Sequence, residues 1–333
     1  MRPIPPAAAD QHGVFSTAQA KASGWTQENL DYAVRRGRLA RIQRGCYQAA
    51  PSRELSAYDI ARDSALTSSI AATLMHPLAT ISHSAAAVRY GLPTLEARPR
   101  PCVTMPATTH GRATRVHLHR NNLAPGQRLR LSPSGSNPLP TTSVARTCVD
   151  IARESGRDAA VIVADAALAR RMMYQSELAS IAADLRGIPG SLAALQLPEL
   201  ADARSESPLE SISRLVFLDA GSRPDLQVPI YNHDGALVAR VDFGWAELGV
   251  VGEADGRMKY LDLPRTDVET SLWDEKQRQD RLADLGLVVI RWGWREAINP
   301  HLLLAKLNRG VCRAQVLRAA GLAPAPGTFG PPR

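Results

Sequence analysis

The chain has 333 residues, 44% of them hydrophobic, and 40 Lys and Arg stand against 32 Asp and Glu, a net charge of +8. Such a length predicts two or three soluble domains, and the basic surplus favours an anionic partner such as nucleic acid. No apolar run nears the ~20 residues that span a bilayer, Met1-Arg-Pro-Ile-Pro-Pro lacks an apolar signal core, and the four cysteines (Cys46, Cys102, Cys148, Cys312) show no C-x-x-C spacing, so a membrane protein, a disulfide frame and a zinc motif are not expected and the location implied is the cytoplasm.

Residues 1–12 are Pro/Ala-rich and read as disordered. From Gly13 the pattern becomes compact. Ser16 or Thr17 can cap a short helix to about Ser23, with Gly24 as its stop. Thr26 caps a second helix to about Arg36 with Leu30, Ala33 and Val34 on one face, and Gly37 closes it. Leu39–Tyr47 alternates apolar and basic residues, as a two-stranded hairpin does. Helix, glycine turn, helix and basic hairpin is the order of a winged helix-turn-helix over 13–50. In it, Gln27 and Asn29 on the second helix suit base edges. Arg35, Arg36, Arg38, Arg41 and Arg44 suit phosphates, contacts that position a protein without reading sequence. Across 13–49, Lys21 and these arginines less Glu28 and Asp31 give 6 − 2 = +4, half the chain's surplus.

A mixed α/β middle section over 51–202 follows. It predicts a helix near 56–74, a helix from Ser82 to Tyr90 that stops at Gly91, strands at 101–105 and 115–119, a loop over 121–140, and an Ala-rich helical stretch to about 185. His83 reads as a locally bonded helix-start histidine rather than a catalyst. Arg146 and Asp150, four apart, read as partners.

From 203 to 312 the pattern is a helix at 208–220, strands at 226–231, 236–243 and 247–253 with Asn232–Gly235 as a hairpin turn, a charged helix at 266–285, a short apolar strand at 287–292 and a last helix at 298–309. His233 falls in the turn and reads as surface. Trp273, Trp292 and Trp294 read as packing residues. Residues 313–333 read as the helix end and a disordered Pro/Gly-rich tail. Asp242, Glu253 and Asp255 sit at the ends of two strand-like runs, with Lys259 just beyond. Oxygen ligands so placed suit Mg²⁺ or Mn²⁺, and a lysine suits the charge that builds on an attacked phosphodiester.

Two resemblances carry these readings further. Gly13-Val-Phe-Ser-Thr-Ala-Gln-Ala20, Gly37–Tyr47, Ile81–Ala87, Gly91-Leu-Pro93 and Thr142–Asp150 resemble the abortive-infection type IV antitoxin family over about 13–180. That resemblance implies repression at operator DNA and a nucleotidyltransferase-like toxin as partner. Val241-Asp-Phe243, Glu253-Ala-Asp-Gly256, Glu275–Arg281 and Val289-Ile-Arg-Trp292 resemble the PD-(D/E)XK nucleases of the very-short-patch repair endonuclease branch over about 203–309. That implies a restriction-endonuclease-like α-β-β-β-α-β core. Asp242 and Glu253 would be metal ligands, Asp255 and Glu210 supporting ligands, and Lys259 would face the scissile phosphate. Position 255 is aspartate where the nuclease pattern has lysine, so two functions stand: a DNA-directed, Mg²⁺-dependent endonuclease, or a non-enzymatic antitoxin and repressor with a degenerate nuclease fold.

Overall fold

Two capping boxes open the structure. Ser16 caps α1 (Thr17–Ala22) with Gln19 returning the bond, and Thr26 caps α2 (Gln27–Arg35) with Asn29 doing the same. Gly24, at φ 81°, makes the turn between them, a conformation that a Cβ would strain. A computed structural model describes residues 2–50, 55–110, 115–132, 134–136, 138–185, 187–188, 190–255 and 276–331. The fold is mixed α/β, with two compact units, Met1–Ala201 and Asp202–Arg333.

In the first unit, β1 (Val14–Ser16), β2 (Leu39–Gln43) and β3 (Cys46–Ala49) form an antiparallel sheet in the order β1-β3-β2. The predicted hairpin is β2–β3; β1, three residues long, has no period to betray it. Phe15, Trp25, Leu30, Ala33, Leu39 and Tyr47 bury one face of this layer together with Ala8. On the other side, Val14 and Cys46 share a core with Leu66, Ile70 and Ala71 of α3 (Ala57–Met75). The boundary expected at residue 50 is therefore bridged by side chains.

The N-terminal residues correct the expectation of disorder. Pro6–Ala9 is a 3-10 turn, and Asp10 accepts bonds from the Ser134 N–H and hydroxyl at 2.8 and 2.5 Å. Trp25 Nε1 donates to the Pro3 carbonyl at 2.9 Å. A Pro/Ala composition does not forbid order where neighbours satisfy the backbone.

The second sheet of this unit contains β4 (Thr80–Ile81), β5 (Cys102–Met105), β6 (His117–Arg120), β7 (Arg128–Leu131) and β8 (Leu139–Thr142), in the order β6-β5-β4-β8-β7. β7 and much of β8 lie in the expected loop. Arg128-Leu-Arg-Leu131 is mostly exposed, so its strand character comes from pairing with β8 rather than from a buried face. Helices α4 (His83–Arg89), α5 (Val144–Ser155), α6 (Arg157–Ala169), α7 (Gln175–Ala183) and α8 (Ser191–Leu200) complete the unit. Gly156, at φ 88°, breaks what the alanine pattern suggests is continuous helix. Inside α5, Arg146 Nε donates to Asp150 Oδ1 at 2.9 Å, and both side chains are buried, as the four-residue spacing predicts.

In the second unit, α9 (Pro208–Asp219) precedes β9 (Asp225–Tyr231), β10 (Leu237–Trp245) and β11 (Val250–Ala254), and helix α10 (276–284) precedes β12 (Val288–Trp292). The sheet order is β12-β11-β10-β9, antiparallel except for the parallel β11–β12 pair. Phe217 on α9 meets Phe243, Trp245 and Trp292 edge-on at 5.6, 5.0 and 5.5 Å. Trp292 is thus core, and its Nε1 donates to Ser213 Oγ at 2.7 Å. Trp294 is partly exposed, His233 is exposed, and Trp273 lies outside the described residues.

Two corrections fall at the C-terminal end. The last helix runs far beyond the expected stop: α11 (Trp294–Ala297) is followed by α12 (Pro300–Ala319), and Gly310 lies inside it. A Cβ there would stand 2.7 Å from Ile290 Cγ2, so glycine serves close helix–sheet approach rather than termination. The expected disordered tail instead lies along β9. Tyr231 N–H donates to the Thr328 carbonyl, Gly330 N–H to the Pro229 carbonyl, and Phe329 bridges Ile230. Proline-rich chain suits a sheet edge, where one side of the backbone needs no donor.

Candidate nucleic-acid interface and acid row

The first candidate site is the exposed face of α2 and the β2–β3 hairpin. Arg35, Arg36, Arg38, Arg41 and Arg44 are all exposed, on the helix end, the following turn and the hairpin. Arg36 lies over the exposed Tyr32 ring at 5.5 Å and donates to its hydroxyl at 3.2 Å. The two residues expected to meet base edges are engaged within the protein. Gln27 Nε2 donates to Asp31 Oδ1 at 3.1 Å and to Tyr47 Oη at 3.3 Å. Asn29 Oδ1 accepts the Thr26 N–H at 3.2 Å as part of the cap. Tyr32 was not foreseen; its place on the polar side of α2, one turn before Arg36, was the available signal.

The second candidate site is a row across the sheet of the second unit. Phe243 pairs with Gly252, so Asp242 and Glu253 come next on adjacent antiparallel strands. Glu253 pairs with Arg291 across β11–β12. On the other side, Asp242 falls between the Val241–Val228 and Phe243–Leu226 pairs, beside Gln227. Gln227 has φ 53°, unfavourable for a residue with a Cβ, and its amide donates to Glu210 Oε2 at 2.9 Å. Glu210 stands in the first turn of α9, where Ser207 caps the helix, and it also accepts from Ser207 Oγ at 2.7 Å and Glu206 N–H at 2.9 Å. Burial, and then the neighbouring Asp242 charge, push the Glu210 carboxyl up to about 7.

This row brings together Glu210, Asp242 and Glu253 as the sequence suggests, yet their oxygens face donors. Arg291 Nε donates to Glu253 Oε2 at 2.7 Å, and Arg278 Nη1 of α10 pairs with Oε1 at 2.7 Å. Asp242 Oδ2 accepts the Ala254 N–H at 2.8 Å. Asp255 is exposed, and Lys259 lies outside the described residues. A hard cation needs about six oxygen ligands, and here two guanidinium groups occupy the carboxylate that would anchor it. As arranged, the donor set does not fit Mg²⁺ or Mn²⁺. The two arginines were missed because in sequence Arg278 is one of several charges in the helix expected at 266–285 and Arg291 falls within the short apolar strand expected at 287–292.

Residues 2–50 match the family model described as a transcriptional regulator, AbiEi antitoxin. The chain is also 35% identical over 150 residues to the uncharacterized proteins MT2308 and Rv2248 of two Mycobacterium tuberculosis strains, CDC 1551 / Oshkosh and H37Rv. Those 150 residues are 45% of this chain and 53% of each relative, so the chain spans about half the length of the curated relatives it matches. Among the described residues no helix is long and apolar enough to cross a membrane. The match to 2–50 covers α1, α2 and the arginine-bearing hairpin, and the chain carries an AbiEi antitoxin-like transcriptional-regulator domain at its N-terminus.

Proposed function

We propose that this protein is a DNA-binding transcriptional regulator of the antitoxin type. Residues 13–50 act as a winged helix-turn-helix on double-stranded DNA. One observation carries the reading: the segment that matches the antitoxin regulator model is the segment that exposes Arg35, Arg36, Arg38, Arg41 and Arg44 on one helix end and hairpin. Arginine forks suit phosphate oxygens, so these five hold the duplex in register. Sequence reading falls to α2, where Gln27 and Asn29 would reach bases only on exchanging their present partners. The antitoxin resemblance implies a nucleotidyltransferase-like toxin as the protein partner, and co-purification with the product of an adjacent gene tests that. The main test is a gel shift on DNA from upstream of its own gene. Charge reversal at Arg41 and Arg44 should abolish retardation; retardation unaffected by both reversals refutes the interface.

A second reading is metal-dependent phosphodiester hydrolysis in a defence setting. The order α9, β9, β10, β11, α10, β12 supports a restriction-endonuclease-like core, and the adjacency of Asp242 and Glu253 favours it. It requires Arg278 and Arg291 to release Glu253. Plasmid nicking in Mg²⁺ or Mn²⁺ that disappears in the Asp242→Ala, Glu253→Ala double variant would establish it, and equal nicking by both proteins would dismiss it.

A further inference from the structure

The first unit contains a cluster that neither reading uses. β5 and β6 run parallel with Cys102 beside His117, and His119 lies two residues further along β6, on the same face as His117. Glu154 reaches the cluster from the last turn of α5. Cys102 Sγ, one ring nitrogen each of His117 and His119, and one Glu154 oxygen all lie within 4.8 Å of one another. His117 Nδ1 is 2.8 Å from Glu154 Oε1, and His119 Nε2 is 3.5 Å from Oε2. His83, at φ 52°, stacks on the His119 ring with centroids 3.6 Å apart, and its Nε2 lies 3.8 Å from Glu154 Oε2.

We propose that Cys102, His117, His119 and Glu154 bind one borderline divalent transition-metal ion, of the Zn²⁺ class, in a four-coordinate site. Three observations support it. The donor set is two imidazoles, a thiol and a carboxylate, the mixture that suits Zn²⁺ and its neighbours rather than the all-oxygen demand of Mg²⁺ or Ca²⁺. Next, His119 Nε2 is buried and makes no hydrogen bond. Buried polar atoms without partners are rare, and an ion would satisfy this one. Last, a cavity of about 110 Å³ lined by His83, Thr104, His119 and Arg120 borders one of the four ligands, His119.

The geometry and charge both close. Ligand atoms about a tetrahedral Zn²⁺ stand roughly 3.3–3.8 Å apart, so no pair among the four needs to close by more than about 1.5 Å. Burial and then the Glu154 charge push the Cys102 thiol up to about 12, so the ion must displace that proton to solvent, as metal-bound thiols require. Thiolate and carboxylate together then neutralise the dication. This matters because Arg146 and Arg153 border the same cavity. The site would tie β6, the outer strand of its sheet, to α5. Linear spacing hides it: the single Cys102 lies fifteen residues before His117, not in a C-x-x-C pair.

The experiment is a Co²⁺ titration of the full chain, free of any histidine tag, followed by visible absorption. Wild type should take one equivalent with the intense ligand-field bands of tetrahedral Co²⁺ and a sulfur-to-cobalt charge-transfer band, both removed by equimolar Zn²⁺. The Cys102→Ser variant should keep the ligand-field bands and lose the charge-transfer band. A His117→Ala, His119→Ala variant, shown to be folded by circular dichroism, should lose both. Should that variant fail to fold, the Cys102→Ser difference spectrum decides alone. Absence of tetrahedral bands in folded wild type, or a charge-transfer band that survives Cys102→Ser, overturns the site.

Discussion

Glu210→Gln tests the acid row most sharply. Glu210 is buried, and burial first and Asp242 second raise its carboxyl from the ordinary 4.5 to about 7. Its folded value therefore lies above its unfolded one, so the folded state prefers the protonated form. Below about pH 4.5 both states are protonated and the group costs nothing. As pH rises from about 4.5 to about 7 the unfolded state ionises first, and stability falls by roughly 3.5 kcal/mol, about 1.4 kcal/mol for each pH unit between the two values. Above about pH 7 the penalty is constant. Gln cannot ionise, and its carbonyl can accept the Glu206 N–H and Gln227 amide donors that Oε2 now takes. The Ser207 hydroxyl must turn to accept from the new amide, at a cost of about 1 kcal/mol. The variant should thus be more stable than wild type by about 2.5 kcal/mol at pH 8 and no more stable than wild type at pH 4.5. Urea denaturation at both pH values measures this. A Glu210→Gln protein that is less stable at pH 8 would show that the ionised carboxylate is what the fold holds, and would refute the reasoning.

Other perturbations follow from the same geometry. Arg291→Ala leaves Glu253 buried with Arg278 alone, and should destabilise by about 1–2 kcal/mol in urea denaturation. Gly310→Ala drives a methyl toward Ile290, and despite the better helix propensity should destabilise by about 1–2 kcal/mol, read as a lower urea midpoint with unchanged slope. Phe329→Ala should destabilise by about 1–2 kcal/mol, because the tail packs on β9 rather than fraying; an unchanged midpoint would restore the disordered tail.

Much of this arrangement was legible because periodicity and caps act locally. Ser16, Thr26 and Gly24 announce α1 and α2, and the alternation in Leu39–Gln43 announces β2. What was illegible depends on distant partners. β7 is a strand because β8 pairs with it, and residues 6–10 are ordered because Ser134 and the α2 layer hold them. The tail reads as disordered until β9 supplies an edge. At the acid row, the carboxylates were visible as strand ends, but the arginines that meet Glu253 come from β12 and α10, 38 and 25 positions away. Likewise His117 and His119 gain meaning only beside Cys102 and Glu154.

The salt dependence of duplex binding tests the central claim most directly. If each of the five exposed arginines neutralises one phosphate, log K should fall against log[salt] with a slope of about −4.5. Between about 50 and about 200 mM salt that is a loss of affinity of about 500-fold. With Arg41 and Arg44 both changed to Ala, the slope should relax to about −2.7 and the loss to about 40-fold. Equal slopes for the two proteins would place the DNA contact elsewhere on the chain and contradict the account.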